Sequence, residues 1–271
     1  DTWGTMGSQD TQFNSPMRIS TLQDSLFVTD YDNNRIVRYD TKGRYISQFG
    51  RNGLDNGQFH QPIGVCIDPH GGILVADTYN NRIQRFDLDG KFRDTLGKRG
   101  TAKGEFNQPW AVVVDLEGNM YVADTQNHRI QKFDPKGTFT MAWGGQGSKH
   151  GELNQPCGLA IEDNQYLLVV DTGNNRVEKF TLRGEYVLSF GDEGSGPRSF
   201  SKPRDVAIDR LGNVFIADTG NNRIVKYKRH SGLFSRTSGG DAAPSGAPAS
   251  GVPLAAPTRP SRPGGPPNSP G

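Results

Sequence analysis

Val75-Ala76-Asp77-Thr78-Tyr79-Asn80-Asn81-Arg82-Ile83-Gln84-Arg85-Phe86 is the stretch that decides the fold, because near copies of it recur along the chain at one interval. The aspartates of the copies are Asp30, Asp77, Asp124, Asp171 and Asp218. They fall about 47 residues apart, a period that belongs to propellers and solenoids. Prolines keep the same beat: Pro62, Pro109, Pro156 and Pro203 precede the motif, and Pro16 is one residue out of phase.

Outward from the motif, the repeat from Pro62 to Gly97 reads as four short strands bounded by turn residues. Ile63 to Ile67 is the first, and Asp68-Pro69-His70-Gly71-Gly72 turns it. Ile73 to Ala76 and Ile83 to Phe86 flank the Thr78 to Asn81 turn, and Asp87 to Gly90 is a hairpin signal. Lys91 to Leu96 alternates apolar and polar residues, as a half-exposed outer strand does. The inner two strands are nearly all apolar or small, which suits burial on both faces. Four antiparallel strands with Val, Ile, Gly and Ala innermost describe a propeller blade, and the repeat length favours that arrangement over a solenoid. The expected fold is all-β: a propeller of four-stranded antiparallel blades over residues 1–238, with five complete repeats. Trp3-Gly4 stands 12 residues before Pro16 as Phe49-Gly50 stands 12 before Pro62, so Trp3 reads as the remnant of a sixth blade. A ring closed by five blades is the alternative.

Each copy carries the same polar set: Asp30 and Arg35, Asp77 and Arg82, Asp124 and Arg129, Asp171 and Arg176, Asp218 and Arg223, with an Asn between. An Asp at a strand end accepts backbone N–H bonds across the next turn, Asn tolerates a left-handed conformation, and Arg five residues on returns to the carboxylate. A role needed once per blade is a framework role. A binding site is expected instead where the blades differ.

Asp-Thr-Gly-Asn-Asn-Arg-Ile, with Gly104-Glu105-Phe106-Asn107-Gln108-Pro109 upstream of another copy, resembles the NHL repeat, and the resemblance runs from about Trp3 to Phe234. It implies a propeller, commonly six-bladed, of the kind carried by tripartite-motif ubiquitin ligases, bacterial sensor kinases and extracellular proteins.

Lys and Arg number 31 against 29 Asp and Glu, and a net charge of +2 does not by itself imply nucleic acid. No apolar run is long enough for a membrane-spanning helix. Cys66 and Cys157 occupy different repeat positions and read as two separate thiols. The chain starts at Asp1 with no export signal before it, which reads as a cut within a longer protein; the compartment stays open, leaning cytoplasmic. Residues 239–271, rich in Pro, Gly, Ala and Ser, are expected to form a disordered tail.

Antiparallel strands reverse at every turn, so the loop entering each first strand and the loop after each second strand share one face. Tyr79, Arg99, Lys103, Trp110, Lys149 and Arg204 are the candidate binding residues on it. A protein or peptide is the expected partner. Single-stranded RNA is the alternative, because the resemblance includes RNA binders and basic groups with aromatics hold phosphates and stack bases. A metal-dependent lactonase or lyase is a third reading. His60, His70, His128, His150 and His230 fall at unlike repeat positions, however, and no pair or triad stands out. The propeller is therefore expected to be non-catalytic, with no cofactor and no metal.

Overall fold

In a computed structural model of the chain, residues 2–228 are described. Each copy of the motif makes the bend between the second and third strands of an antiparallel sheet, and five such sheets stand as blades of a propeller. Blade one is Pro16–Leu22, Ser25–Asp30, Arg35–Asp40 and Tyr45–Phe49. Blade two is Val65–Asp68, Gly72–Asp77, Arg82–Phe86 and Phe92–Leu96. Blade three is Pro109–Val114, Met120–Asp124, Arg129–Phe133 and Phe139–Gly144, and blade four is Pro156–Glu162, Tyr166–Asp171, Arg176–Thr181 and Tyr186–Phe190. Blade five contributes Asp205–Ile208, Val214–Asp218 and Arg223–Tyr227 among the described residues. The end of the propeller span expected to reach residue 238 and the tail expected over 239–271 lie outside the described residues.

Within a blade the register is set by the motif itself. Asp77 pairs with Arg82 across the bend, and Asp30 with Arg35, Asp124 with Arg129, Asp171 with Arg176 and Asp218 with Arg223 do the same. The bend is one turn of 3-10 helix, Thr78–Asn80 in blade two, closed by a left-handed residue. That residue is Asn81 at φ 57°, and the sequence expectation that placed the left-handed Asn beside the Asp–Arg pair applies to this second Asn. Asn80 is used differently: its Nδ2 donates to both Asp77 oxygens and to Gly53 O.

Asp77 is the centre of this arrangement. It accepts from the His60 N–H at 2.7 Å, from Arg82 Nε at 2.7 Å and from Gln84 Nε2 at 3.0 Å. Arg82 then reaches Asp55 O and Gln58 O. The carboxylate so ties the entering loop to the second and third strands of its own blade, a framework role in every copy.

The core lies between blades. Leu74, Ala76 and Ile83 of blade two pack with Val112, Met120 and Val122 of blade three, and Ile130 of blade three packs with Leu159 and Val169 of blade four. Each buried Ile or Leu is worth about 1.5–3 kcal/mol relative to exposure. Near the axis the inner strands approach so closely that a Cβ on Gly158 would meet Asp205 Cα at 2.7 Å and Arg204 O at 3.0 Å. This is the physical reason for small residues there. Polar ties cross the same seams: Thr78 Oγ1 donates to Pro109 O, Thr125 Oγ1 to Pro156 O and Thr172 Oγ1 to Pro203 O.

Between blades five and one the packing is interrupted. Ile19 is 62% exposed, whereas Val65, Val112, Leu159 and Val206 at the matching position are 2–6% exposed. Ile224 is 66% exposed, whereas Ile36, Ile83, Ile130 and Val177 are 0%. Among the described residues an Arg18–Asp205 ion pair at 2.8 Å joins the inner strands of the two blades. The flanks at Ile19 and Ile224 are therefore open among the described residues. Trp3 covers Gly43 as Phe49 covers Gly90 and Trp143 covers Gly184, which puts Trp3 in the place that a fourth strand of a preceding blade ends. Ile83→Val is expected to cost about 1 kcal/mol, and Ile224→Val nothing measurable, by urea denaturation.

Candidate functional site

On the face expected to bind, the motif bend and the entering loop are bonded directly. The Tyr79 N–H donates to His60 O, Gln126 N–H to Asn107 O, Gly173 N–H to Asn154 O and Gly220 N–H to Ser201 O. Two elements far apart in the repeat thus form one surface. The repeats diverge on it at two places: the residue after each proline (Met17, Ile63, Trp110, Cys157, Arg204) and the second residue after each motif aspartate (Asp32, Tyr79, Gln126, Gly173, Gly220).

At the junction of blades three, four and five these divergent residues enclose a cavity of about 300 Å³. Its walls include Trp110 and Gln126 from blade three, Gln155, Cys157 and Gly173 from blade four, and Lys202 and Arg204 from blade five. The Arg204 guanidinium carbon lies 5.4 Å from the Trp110 ring centroid, a cation–π arrangement that holds the guanidinium over the ring. Seam hydrogen bonds support the walls: the Lys202 N–H donates to Asn175 Oδ1 at 2.8 Å, and Thr172 Oγ1 donates to Pro203 O at 2.7 Å. Of the six residues expected to bind, the structure brings Trp110 and Arg204 together here. Tyr79, Arg99, Lys103 and Lys149 are not walls of this cavity.

Those four sit farther round the face. Tyr79 is exposed beside His60, with ring centroids 5.4 Å apart, and neighbours Tyr31. Burial, then the hydrogen bond to Tyr79, push the Tyr31 hydroxyl up to about 12. Arg99, Lys103 and Lys149 are exposed on the entering loops, Lys103 with its Nζ 5.8 Å from the Phe139 ring of an outer strand. Lys98 in the same loop pairs with Glu105 at 3.4 Å.

Cys66 and Cys157 are free thiols. Burial pushes Cys66 up to about 12 and Cys157 up to about 11, so each is a protonated thiol at neutral pH, without the thiolate that nucleophilic attack requires. The described histidines serve four unrelated places. His70 Nε2 is 3.1 Å from Leu116 O on the opposite face, and His150 stacks on Tyr186 with centroids 4.9 Å apart. His230 lies outside the described residues. Among the described residues no three His, Cys, Asp or Glu side chains gather as metal ligands would.

His128, read from the sequence only as one of five histidines at unlike repeat positions, has a framework role. Asn34 Oδ1, Asn81 Oδ1 and Asn175 Oδ1 each accept the N–H of a residue in the next blade: Gln61, Gln108 and Lys202. His128, left-handed at φ 55° like the asparagines, accepts the Gln155 N–H with Nδ1 at 3.1 Å. The signal was its motif position, since only a side-chain acceptor at that distance from the backbone substitutes for Asn. His128→Asn is expected to preserve stability, and His128→Ala to cost about 1 kcal/mol or less by losing the bond to the exposed Gln155 N–H, read by urea denaturation.

Comparison with known proteins agrees with this architecture. Residues 59–86, 106–133 and 200–227 match the family model of the NHL repeat. A crystal structure of a catalytically inactive virginiamycin B lyase from Staphylococcus aureus with quinupristin is similar at 20% identity and TM-score 0.59, covering 82% of this chain and 71% of that one. The nidogen/laminin complex gives 18% identity and TM-score 0.62, with 80% of this chain and 77% of that one covered. A gluconolactonase from Xanthomonas campestris gives 17% identity and TM-score 0.56, with 80% and 76% covered. At these identities the likeness is one of fold. It nevertheless corrects the expectation of a propeller without catalysis, because lyases and a gluconolactonase are built on the same architecture and the fold is no argument against an enzyme. No helix among the described residues is long and apolar enough to cross a membrane. With its 47-residue beat, its Asp–Asn–Arg framework in every blade and the three matched segments, the chain is a β-propeller that carries NHL repeats.

Proposed function

We propose that this propeller recognises a protein or peptide partner through its loop face, with Trp110 and Arg204 as the central anchors. The observation that carries the reading is the cavity at the junction of blades three to five, walled by residues at the positions where the repeats diverge. A rigid concave seat with an aromatic and an arginine at its centre is how interfaces concentrate their binding energy. The framework around it is fixed by seam hydrogen bonds, so little ordering opposes binding. A fold likeness to nidogen, solved in complex with laminin, is in keeping with a protein partner.

A library of random peptides displayed on phage and selected on the immobilised chain tests this. Enriched peptides are expected to bind Trp110→Ala at least tenfold more weakly, with an unchanged melting temperature. Peptides that bind Trp110→Ala as well as the parent chain would overturn the seat. Single-stranded RNA is the second reading, favoured by Arg99, Lys103 and Lys149, all exposed on the same face. For an oligouridine ligand, reversing the charge of Arg99 and Lys103 should weaken binding and flatten its salt dependence. Binding that does not change sets that reading aside.

A further inference from the structure

We infer that the cavity between blades three, four and five receives an anionic side chain, a carboxylate or a phosphate, presented by the peptide partner; this rests on the proposed peptide-binding reading. The walls hold two cations, Lys202 and Arg204, and no acid. Among the described residues neither side chain has a carboxylate partner, and the Arg204 guanidinium makes no hydrogen bond. The one acid next to them in the chain, Asp205, is engaged elsewhere. Its carboxylate pairs with Arg18 at 2.8 Å, and the same Arg18 Nη2 donates to Cys157 O at 3.4 Å.

This distribution differs from that of the motif arginines. Arg82, Arg129, Arg176 and Arg223 each spend their guanidinium on a buried aspartate and on loop carbonyls. Arg204 stands outside that framework and keeps its donors. Its planar guanidinium lies 5.4 Å from the Trp110 ring centroid and keeps the donors with which an arginine holds a carboxylate or phosphate by two parallel N–H bonds.

The neutral walls suit the same occupant. Gln126 and Gln155 offer amide donors beside the cations, and the Cys157 thiol stays uncharged. Gly173, which stands where the preceding blades have Tyr79 and Gln126, adds no side chain of its own to the wall. The volume of about 300 Å³ matches one side chain and its flanking backbone rather than a run of stacked bases. Two cations without a counter-ion in a concave polar site attract an anion more strongly than the same charges on an open rim.

Arrays of ten-residue random peptides, in matched sets with Glu, phosphoserine or Gln at the central position, test this with the full chain as probe. The Glu or phosphoserine set is expected to be bound at least tenfold more strongly than the Gln set, and which of the two leads identifies the source of the charge. Arg204→Gln should erase the preference with an unchanged melting temperature, Lys202→Gln should reduce it severalfold, and Arg204→Lys should keep only part of it. Equal binding of all three sets would overturn the anionic occupant and leave peptide recognition standing. Binding of an oligouridine probe with no binding of any peptide set, or no binding of either, would overturn both.

Discussion

Asp124→Ala is expected to destabilise the chain by about 3–5 kcal/mol in urea denaturation, because it removes the acceptor on which four donors converge. The carboxylate is fully buried and takes the Asn107 N–H at 2.7 Å, Asn127 Nδ2 at 2.9 Å, Arg129 Nε at 2.8 Å and Gln131 Nε2 at 3.0 Å. Without it Arg129 stays anchored on Thr101 O, Ala102 O and Glu105 O with its charge uncompensated. Asp218→Ala breaks the same motif in blade five but should cost only about 1–2 kcal/mol. There the flank is open: Ile224 and Asn222 are exposed, and Arg223 is 31% exposed against 18% for Arg129. The two aspartates differ in titration for the same reason. Burial raises Asp124 above the ordinary carboxylate range, whereas for Asp218 a weaker burial penalty is outweighed by the Ser201 N–H, Asn221 and Arg223, which hold it low. Equal losses at the two positions would show that the uncovered flank does not soften the motif.

The repeat was legible because it is enforced by local chemistry that every blade must satisfy. Asp77, Arg82 and the 47-residue beat announce blade, bend and register, and the strands expected around them begin and end within about two residues of those observed. What the sequence showed less clearly depends on distances between blades. Trp110 and Arg204 were identifiable as departures from the pattern, but that they meet across two blade seams while Arg99, Lys103 and Lys149 remain apart follows from how the inner strands close on the axis at Gly158. The division of labour between Asn80 and Asn81 was unreadable for a related reason. Both are Asn in nearly every copy, and only the backbone conformation separates the carboxylate's donor from the next blade's acceptor.

Glu178→Gln is expected to stabilise the chain by about 2 kcal/mol at pH 8 and to leave it nearly unchanged at pH 4.5. Blades two and three place Gln84 and Gln131 here. Each donates Nε2 to the motif aspartate and to a loop carbonyl, and accepts a glycine N–H with Oε1. Glu178 occupies the same buried position in blade four with two acceptors and no amide donor, close to Asp171. It keeps the Gly151 N–H and gains Arg176 Nη2 at 2.8 Å. Burial still pushes its carboxyl from 4.5 up to about 7, with the Asp171 charge adding to the rise against the pull of Arg176. The folded chain therefore holds a proton that the unfolded chain releases near 4.5. Stability supported by that proton is complete below 4.5 and declines as pH rises to about 7, by up to about 3 kcal/mol. Gln supplies the missing donors at every pH and removes the decline, while losing the Arg176 contact that Arg82 and Arg129 do without. Asp77, Asp124 and Asp171 are raised by burial as well, so a slope of the same sign should persist at lower pH. Urea midpoints for both chains between pH 4.5 and 8 read the difference directly. Parallel curves across that interval would mean that Glu178 is charged in the folded blade and that Arg176 alone compensates it.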